Sequence, residues 1–282
     1  MTKLRSSAIL LSLLLVTSLA HAQDFEGHFI QRLVTIGSDD LYEIMGDALY
    51  AEDPSDLPMS LMALDVLEVA TLASAEIEKI RISVRGDLMR VEPDAGGDAQ
   101  GFQIIDSSTG AIWIVNVPDK SYIEFTQQSA EEMEKKTREM MEKMGVDPDE
   151  VADMGDYETA AGLTVSTGQT AEINGYRATA YTYSDDEQVE VAWCASDGSD
   201  FFESMKSRAM ESAFADEEDA ATGGVECPEG AFPVRTLSLD LFNQELIVDD
   251  LVEVKSGSIP VDLFEVPSGF QKKDLMDGFF GQ

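Results

Sequence analysis

The chain has 282 residues and a formal net charge of −36, with 55 Asp and Glu against 19 Lys and Arg. Such a charge repels nucleic acid phosphates and anionic lipid headgroups, so neither is an expected partner. Two cysteines and two histidines leave little material for a zinc centre.

Met1-Thr-Lys-Leu-Arg5 is a short cationic start, followed by an apolar run over 8–19 and then Ala20-His21-Ala22. That order predicts a secretory signal peptide over 1–22, cleaved near Ala22, and hence a periplasmic or secreted protein over 23–282. The apolar run is about a dozen residues, short of the roughly 20 that cross a bilayer, and no transmembrane segment is expected later in the chain. The stretch 57–75 is the most apolar of the remainder, but Asp65 and Glu68 interrupt it, and 58–75 reads as a buried helix.

Strands are expected at 24–33, 79–85, 88–92, 102–106, 111–117 and 120–125. Ile80, Ile82 and Val84 alternate on one face, and Gly86-Asp87 turns that strand into the next. The 111–117 segment is apolar on both faces, as in a strand covered on both sides. A helix is expected over 129–145, with Met133, Met140, Met141 and Met144 in one stripe, Glu131 and Glu132 four residues ahead of Lys135 and Lys136, and Gly145 as C-cap. Strands resume at 168–173, 176–184 and 188–194, with Asn174-Gly175 as a hairpin turn. A further helix is expected at 199–214, an exposed acidic loop at 216–219, and strands at 232–239 and 246–255. Hairpin-linked strands predict an antiparallel sheet rather than βαβ units. Cys194 and Cys227, an even pair in an exported chain, are expected to form a disulfide.

Phe25-Glu-Gly, Arg85-Gly-Asp-Leu-Met-Arg-Val-Glu92, Ile104-Ile-Asp, Ile112-Trp-Ile-Val-Asn and Lys120-Ser-Tyr122 occur in an order that resembles a bacterial domain-of-unknown-function family similar to the periplasmic lipoprotein carrier LolA. Ile173-Asn-Gly-Tyr-Arg-Ala178, Val189-Glu-Val-Ala-Trp193, Phe232-Pro-Val-Arg235 and Ile259-Pro…Leu263-Phe-Glu-Val-Pro-Ser-Gly-Phe270 continue it. The likeness skips 37–75, which reads as a helical insertion into a single LolA-like domain. The resemblance implies an α+β fold: a curved antiparallel sheet, an incomplete barrel, with helices packed on its concave side. It transfers no catalytic or ligand residues.

Enzyme chemistry finds little support. His28 alone remains after leader cleavage, no Gly-x-Ser-x-Gly elbow is present, and neither the Asp147–Asp153 carboxylates nor Asp185-Asp-Glu187 match a calcium loop. Gly96-Gly97 lacks the Lys-Ser/Thr of a phosphate loop. No cofactor and no enzymatic activity are expected. Two alternatives stand. One is a binding protein for a hydrophobic ligand, a lipid or acylated molecule, in a cavity lined by Ile80, Ile82, Val84, Ile112, Trp113, Val189, Val191 and the four methionines. The other is a structural or protein-interaction component of the cell envelope with its hollow filled by side chains.

Overall fold

The computed structural model describes residues 25–46, 49, 57–72, 75–94, 101–144, 164–185, 187–196, 224–228 and 230–274; within 131–144 only the side chains of Glu132, Lys135, Lys136, Arg138 and Glu139 are described. The expected leader at 1–22, the helix at 199–214, Gly96-Gly97, Gly145 and the Asp147–Asp153 carboxylates lie outside these residues.

The described strands are β1 (Glu26–Ile36), β2 (Glu76–Arg85), β3 (Leu88–Pro93), β4 (Gly101–Asp106), β5 (Ala111–Asn116), β6 (Ser121–Phe125), β7 (Val165–Ile173), β8 (Tyr176–Ser184), β9 (Gln188–Ala195), β10 (Phe232–Asp240), β11 (Glu245–Ser256) and β12 (Gln271–Lys272). They form one open, curved sheet in the order β12-β6-β5-β4-β3-β2-β1-β11-β10-β9-β8-β7. Every pairing is antiparallel except the short parallel β12–β6 contact. Two meanders, β1–β6 and β7–β11, therefore meet where β1 pairs with β11.

Local chemistry sets the turns. Asn174 and Gly175 both take positive φ, 49° and 88°, as a two-residue hairpin whose twist matches its strands requires. Gly27 lies against the β11 backbone: a Cβ there would sit 2.2 Å from the Lys255 carbonyl oxygen. That contact explains the glycine of the Phe25-Glu-Gly motif.

The burial phase of β1 changes along its length. Gly27 and Phe29 are buried on one side, and Val34 and Ile36 on the other. Opposite this change, β11 carries a bulge: Ile30 pairs with Glu253 and Gln31 with Leu251, leaving Val252 as the extra residue. Phe29, Ile82 and Val91 are cross-strand partners on one face. Val34, Val248, Leu237 and Val191 are partners on the opposite face, yet both sets belong to one contiguous buried cluster.

Three short helices follow β1: α1 (Ser38–Met45), α2 (Leu57–Met62) and α3 (Val66–Val69). α2 packs on β8 and β9, and α1 on β11, with Leu41 and Leu61 fully buried. The continuous helix expected over 58–75 is instead broken at Asp65. Its carboxylate accepts from the amides of Leu67 (2.9 Å) and Glu68 (3.3 Å) and so starts α3 as an N-cap.

A second buried cluster, Phe102, Ile104, Val115 and Phe264, lies on the face of β4 and β5 that also carries Trp113, and Tyr122 of β6 packs against it. Its roof is the C-terminal strap, residues 257–272, which includes the 3₁₀ turn Val261–Phe264. Glu26 accepts from the Ile259 amide (2.7 Å) and the Ser258 hydroxyl (3.1 Å), Arg85 donates to the Ile259 carbonyl (2.7 Å) and Arg90 to the Leu263 carbonyl (2.9 Å).

Candidate functional site

The strap covers only one face of β4–β6. Ala111, Trp113 and Val115 point to it, so strict alternation turns Ile112 and Ile114 to the other face. There Ile105, Ile112 and Phe125 are cross-strand partners in one row, and Gln103, Ile114 and Ile123 in the next. Ile105, Ile112, Ile114, Ile123 and Phe125 are all half-buried, and Ile112, Ile114 and Ile123 belong to neither buried cluster. On the strap side of β5 Val115 is buried and Trp113 half-buried, and on the other side Ile112 and Ile114 are half-buried. That other side is a half-buried apolar face with a buried amide, Gln103, in its second row.

Helix α4 (Gln127–Met144) begins directly past this face. Thr126 and Ser129 cap it reciprocally: the Thr126 amide donates to Ser129 Oγ (2.7 Å), the Ser129 amide to Thr126 Oγ1 (3.2 Å), and the Ala130 amide closes the first turn on the Thr126 carbonyl (3.0 Å). Glu132, Lys135, Lys136, Arg138 and Glu139 are exposed. The side chains of Met133, Met140, Met141 and Met144 are outside the described set.

The expected lining residues do not share one surface. Ile80, Ile82 and Val84 are buried on the Phe29 face of the main cluster, while Val189 and Val191 are buried on its opposite face, where α2 packs on β9. Trp113 faces the strap and donates from its indole to Glu124 Oε1 at 3.2 Å. Among the described side chains of this set, Ile112 alone lies on the half-buried β4–β6 face. Ile105, Ile114, Ile123 and Phe125 escaped the sequence reading. The signal was present, because folding 111–117 against 120–125 about Pro118-Asp119 sets Ile114 opposite Ile123.

Polar groups concentrate instead in the middle of the sheet. Asp250 is fully buried and ion-paired to Arg32 of β1 and, at 2.5 Å, to Arg235 of β10. Its neighbour Asp249 faces the other way, accepts from Gln31 at 3.3 Å and leaves Oδ1 without a hydrogen-bond partner. Burial, reinforced by the Asp250 charge, raises the Asp249 carboxyl to about 7. Glu190, on the same face across β10, is likewise raised to about 7 by burial, against the pull of a hydrogen bond from the Val225 amide. Val225 belongs to the segment that the Cys194–Cys227 disulfide pins to β9.

The residues tested for chemistry have structural places. Asp185 accepts from the Tyr183 hydroxyl (2.7 Å) and the amides of Glu187 (2.9 Å) and Gln188 (2.8 Å), closing the β8–β9 turn. His28 lies 3.8 Å from Glu253 on the neighbouring strand. Among the described residues no group of three His, Cys, Asp or Glu is placed to hold a metal ion, and no helix is long and apolar enough to cross a membrane.

Three solved structures show slight likeness. An uncharacterized conserved protein from Thermus thermophilus is 10% identical with a TM-score of 0.38, over 95% of this chain and 99% of that one. A DUF1329 family protein from Desulfovibrio piger is 8% identical, TM-score 0.32, over 86% and 91%. A putative outer membrane lipoprotein-sorting protein domain from Vibrio parahaemolyticus is 7% identical, TM-score 0.29, over 86% and 91%. Likeness at this level bears on neither ligand nor activity. No curated protein matches the chain. Residues 66–270, from α3 into the strap, match the family described as "Domain of unknown function (DUF4412)", and the chain belongs to that family.

Proposed function

We propose that this is an exported, non-catalytic protein that binds a hydrophobic molecule, a lipid or acylated compound, on the β4–β6 face beside α4. The observation that carries the reading is the trio Ile112, Ile114 and Ile123: adjacent large aliphatic side chains on one sheet face, half-buried and outside both buried clusters of the described residues. An ordered sheet face of this kind suits an acyl chain, which gains about 0.8 kcal/mol for each CH₂ removed from water. Support for export comes from the leader pattern at 1–22 and from the disulfide, which persists in oxidising compartments. The likeness in sequence to the LolA-like exported family agrees with a carrier.

The test is native mass spectrometry with lipid extraction on protein purified from the periplasm of an expression host. Wild-type protein is expected to carry an acyl-containing ligand and to take up a fluorescent fatty acid, and Ile114→Glu to lose both while keeping its circular dichroism spectrum. A clean apo mass with no fatty-acid uptake by wild type overturns the reading and leaves this face to be covered by α4 itself.

A further inference from the structure

One turn of the sheet holds an aromatic ring out of the molecule. Phe242 is 89% exposed at the tip of the β10–β11 hairpin. The turn is braced: Asp240 accepts from the Asn243 amide and from its side-chain amide, both at 2.7 Å, and Gln244 takes φ 51°. The Leu241 amide anchors the tip to the Glu187 carbonyl of the β8–β9 turn at 2.8 Å. A braced turn loses little further entropy when its tip is buried in an interface, which is the advantage of a preorganised anchor.

The strand ends around Phe242 share one character. The register sets Glu245 beside Asp240, Leu246 beside Ile36 and Thr35 beside Glu76, so the starts of β2 and α1 meet the β10–β11 and β8–β9 turns at one end of the sheet. Glu76 and Asp240 both lie close enough to Glu245 to raise its carboxyl pKa, after the larger effect of burial. Glu43, Glu76, Glu78, Glu187 and Glu245 all fall on these segments, whose described residues, 36–43, 75–78, 184–185, 187–188 and 240–246, include no Lys or Arg. Ile77, between two of these glutamates, is 48% exposed. Arg85, Arg177 and Lys255 stand at the opposite ends of their strands.

We infer that this end of the sheet is a docking surface for a cationic amphipathic protein segment, with Phe242 and Ile77 as the apolar anchors and the surrounding carboxylates as the complement to its Lys and Arg. The charge sign selects that partner: an anionic membrane or an acidic protein is repelled from this end, whereas a basic segment is drawn to it and then held by apolar contact. The surface is distinct from the proposed ligand face, which lies on β4–β6.

The test measures binding of two fluorescently labelled peptides, one of alternating Lys and Leu and one of Lys alone, to the mature protein by anisotropy. Phe242 is so exposed that Phe242→Ala leaves the fold intact. The Lys-Leu peptide is expected to bind wild type and to weaken about tenfold with Phe242→Ala, the size of an anchor residue's contribution. It also weakens as ionic strength rises through the range that screens surface charge. The all-Lys peptide is insensitive to Phe242→Ala, and Val261→Ser, a change at another exposed apolar residue, leaves both unaffected. Equal binding of the Lys-Leu peptide to wild type and Phe242→Ala overturns the inference, as does an equal loss with Val261→Ser. Binding to phosphatidylcholine vesicles that disappears with Phe242→Ala also overturns it, making a lipid surface the occupant.

Discussion

Arg90 lies over the ring of Phe102, its guanidinium carbon 3.5 Å from the ring centroid. The same guanidinium is forked onto Glu92 and donates to the Leu263 carbonyl, so one side chain joins β3, β4 and the strap. Arg85, five residues earlier, holds the strap at Ile259. The Arg85-Gly-Asp-Leu-Met-Arg-Val-Glu92 motif is therefore a fastening device: its turn and strand residues build the hairpin, and its two arginines close the reverse face of the sheet.

Replacing Arg90 by Met keeps much of the apolar stem and removes the fork, the stacking and the bond to the strap. The expected cost is about 2–3 kcal/mol, from a charge-assisted hydrogen bond and a partly buried cation–π contact. Denaturant unfolding measures it. Hydrogen exchange locates it: the Gly257 and Gln271 amides, bonded to the Glu26 and Lys120 carbonyls, are expected to exchange faster while β8–β10 amides do not.

Hairpins were legible in the sequence because each is local: the alternation of Ile80, Ile82 and Val84 and the Asn174-Gly175 turn need no knowledge of the rest of the chain. The closure of β1 on β11 was not, since nothing near Phe29 announces a partner such as Val254, far along the chain. Which face of β5 would meet the strap was also hidden, because Ile112 and Trp113 are equally apolar and only the returning strap decides between them. The buried acids were hidden by number: Asp249 and Asp250 are two among 55 Asp and Glu. Their place within the apolar run Leu246–Val254 was the available signal.

Stability is expected to fall as pH rises toward neutrality. Asp249 and Glu190 have folded values raised to about 7, so the folded chain holds protons that the unfolded chain has released. A carboxyl shifted in this direction contributes fully below its unfolded pKa of about 4, and the contribution is lost as pH climbs through about 7. For the fully buried Asp249 the effect is on the order of a few kcal/mol. Thermal melts at acidic and mildly alkaline pH are expected to show a drop that shrinks in Asp249→Asn and shrinks again in Asp249→Asn/Glu190→Gln. An unchanged drop in both variants would assign the loss to general charge repulsion instead.

The Cys194–Cys227 bond spans 33 residues of sequence, and closing a loop of that length stabilises the fold by roughly 3.5 kcal/mol on the chain-entropy account. Reductant is expected to lower the melting temperature of wild type and to leave the Cys194→Ser/Cys227→Ser double variant, already lower, unmoved. Reduction also frees the segment carrying Val225, whose amide bonds to Glu190. Because that bond pulls the Glu190 carboxyl down against its burial, the reduced protein is expected to show a larger share of the pH-dependent drop that belongs to Glu190.

Asp250 is the shared partner of two cations that sit on strands either side of its own. Removing one arginine leaves the other to neutralise the buried carboxylate, whereas removing the carboxylate leaves two part-buried guanidinium groups facing each other across β11. Breaking a buried pair from the side that strands charge costs about 3–5 kcal/mol. Asp250→Asn is therefore expected to destabilise the protein more than Arg235→Met. The Asp250→Asn/Arg235→Met double variant should recover part of that loss, because one of the stranded cations is gone. A double-mutant cycle on urea midpoints gives the coupling directly. Additive losses with no recovery would mean that the two guanidinium groups reach water once the carboxylate is neutral, and that the triad contributes packing rather than charge balance.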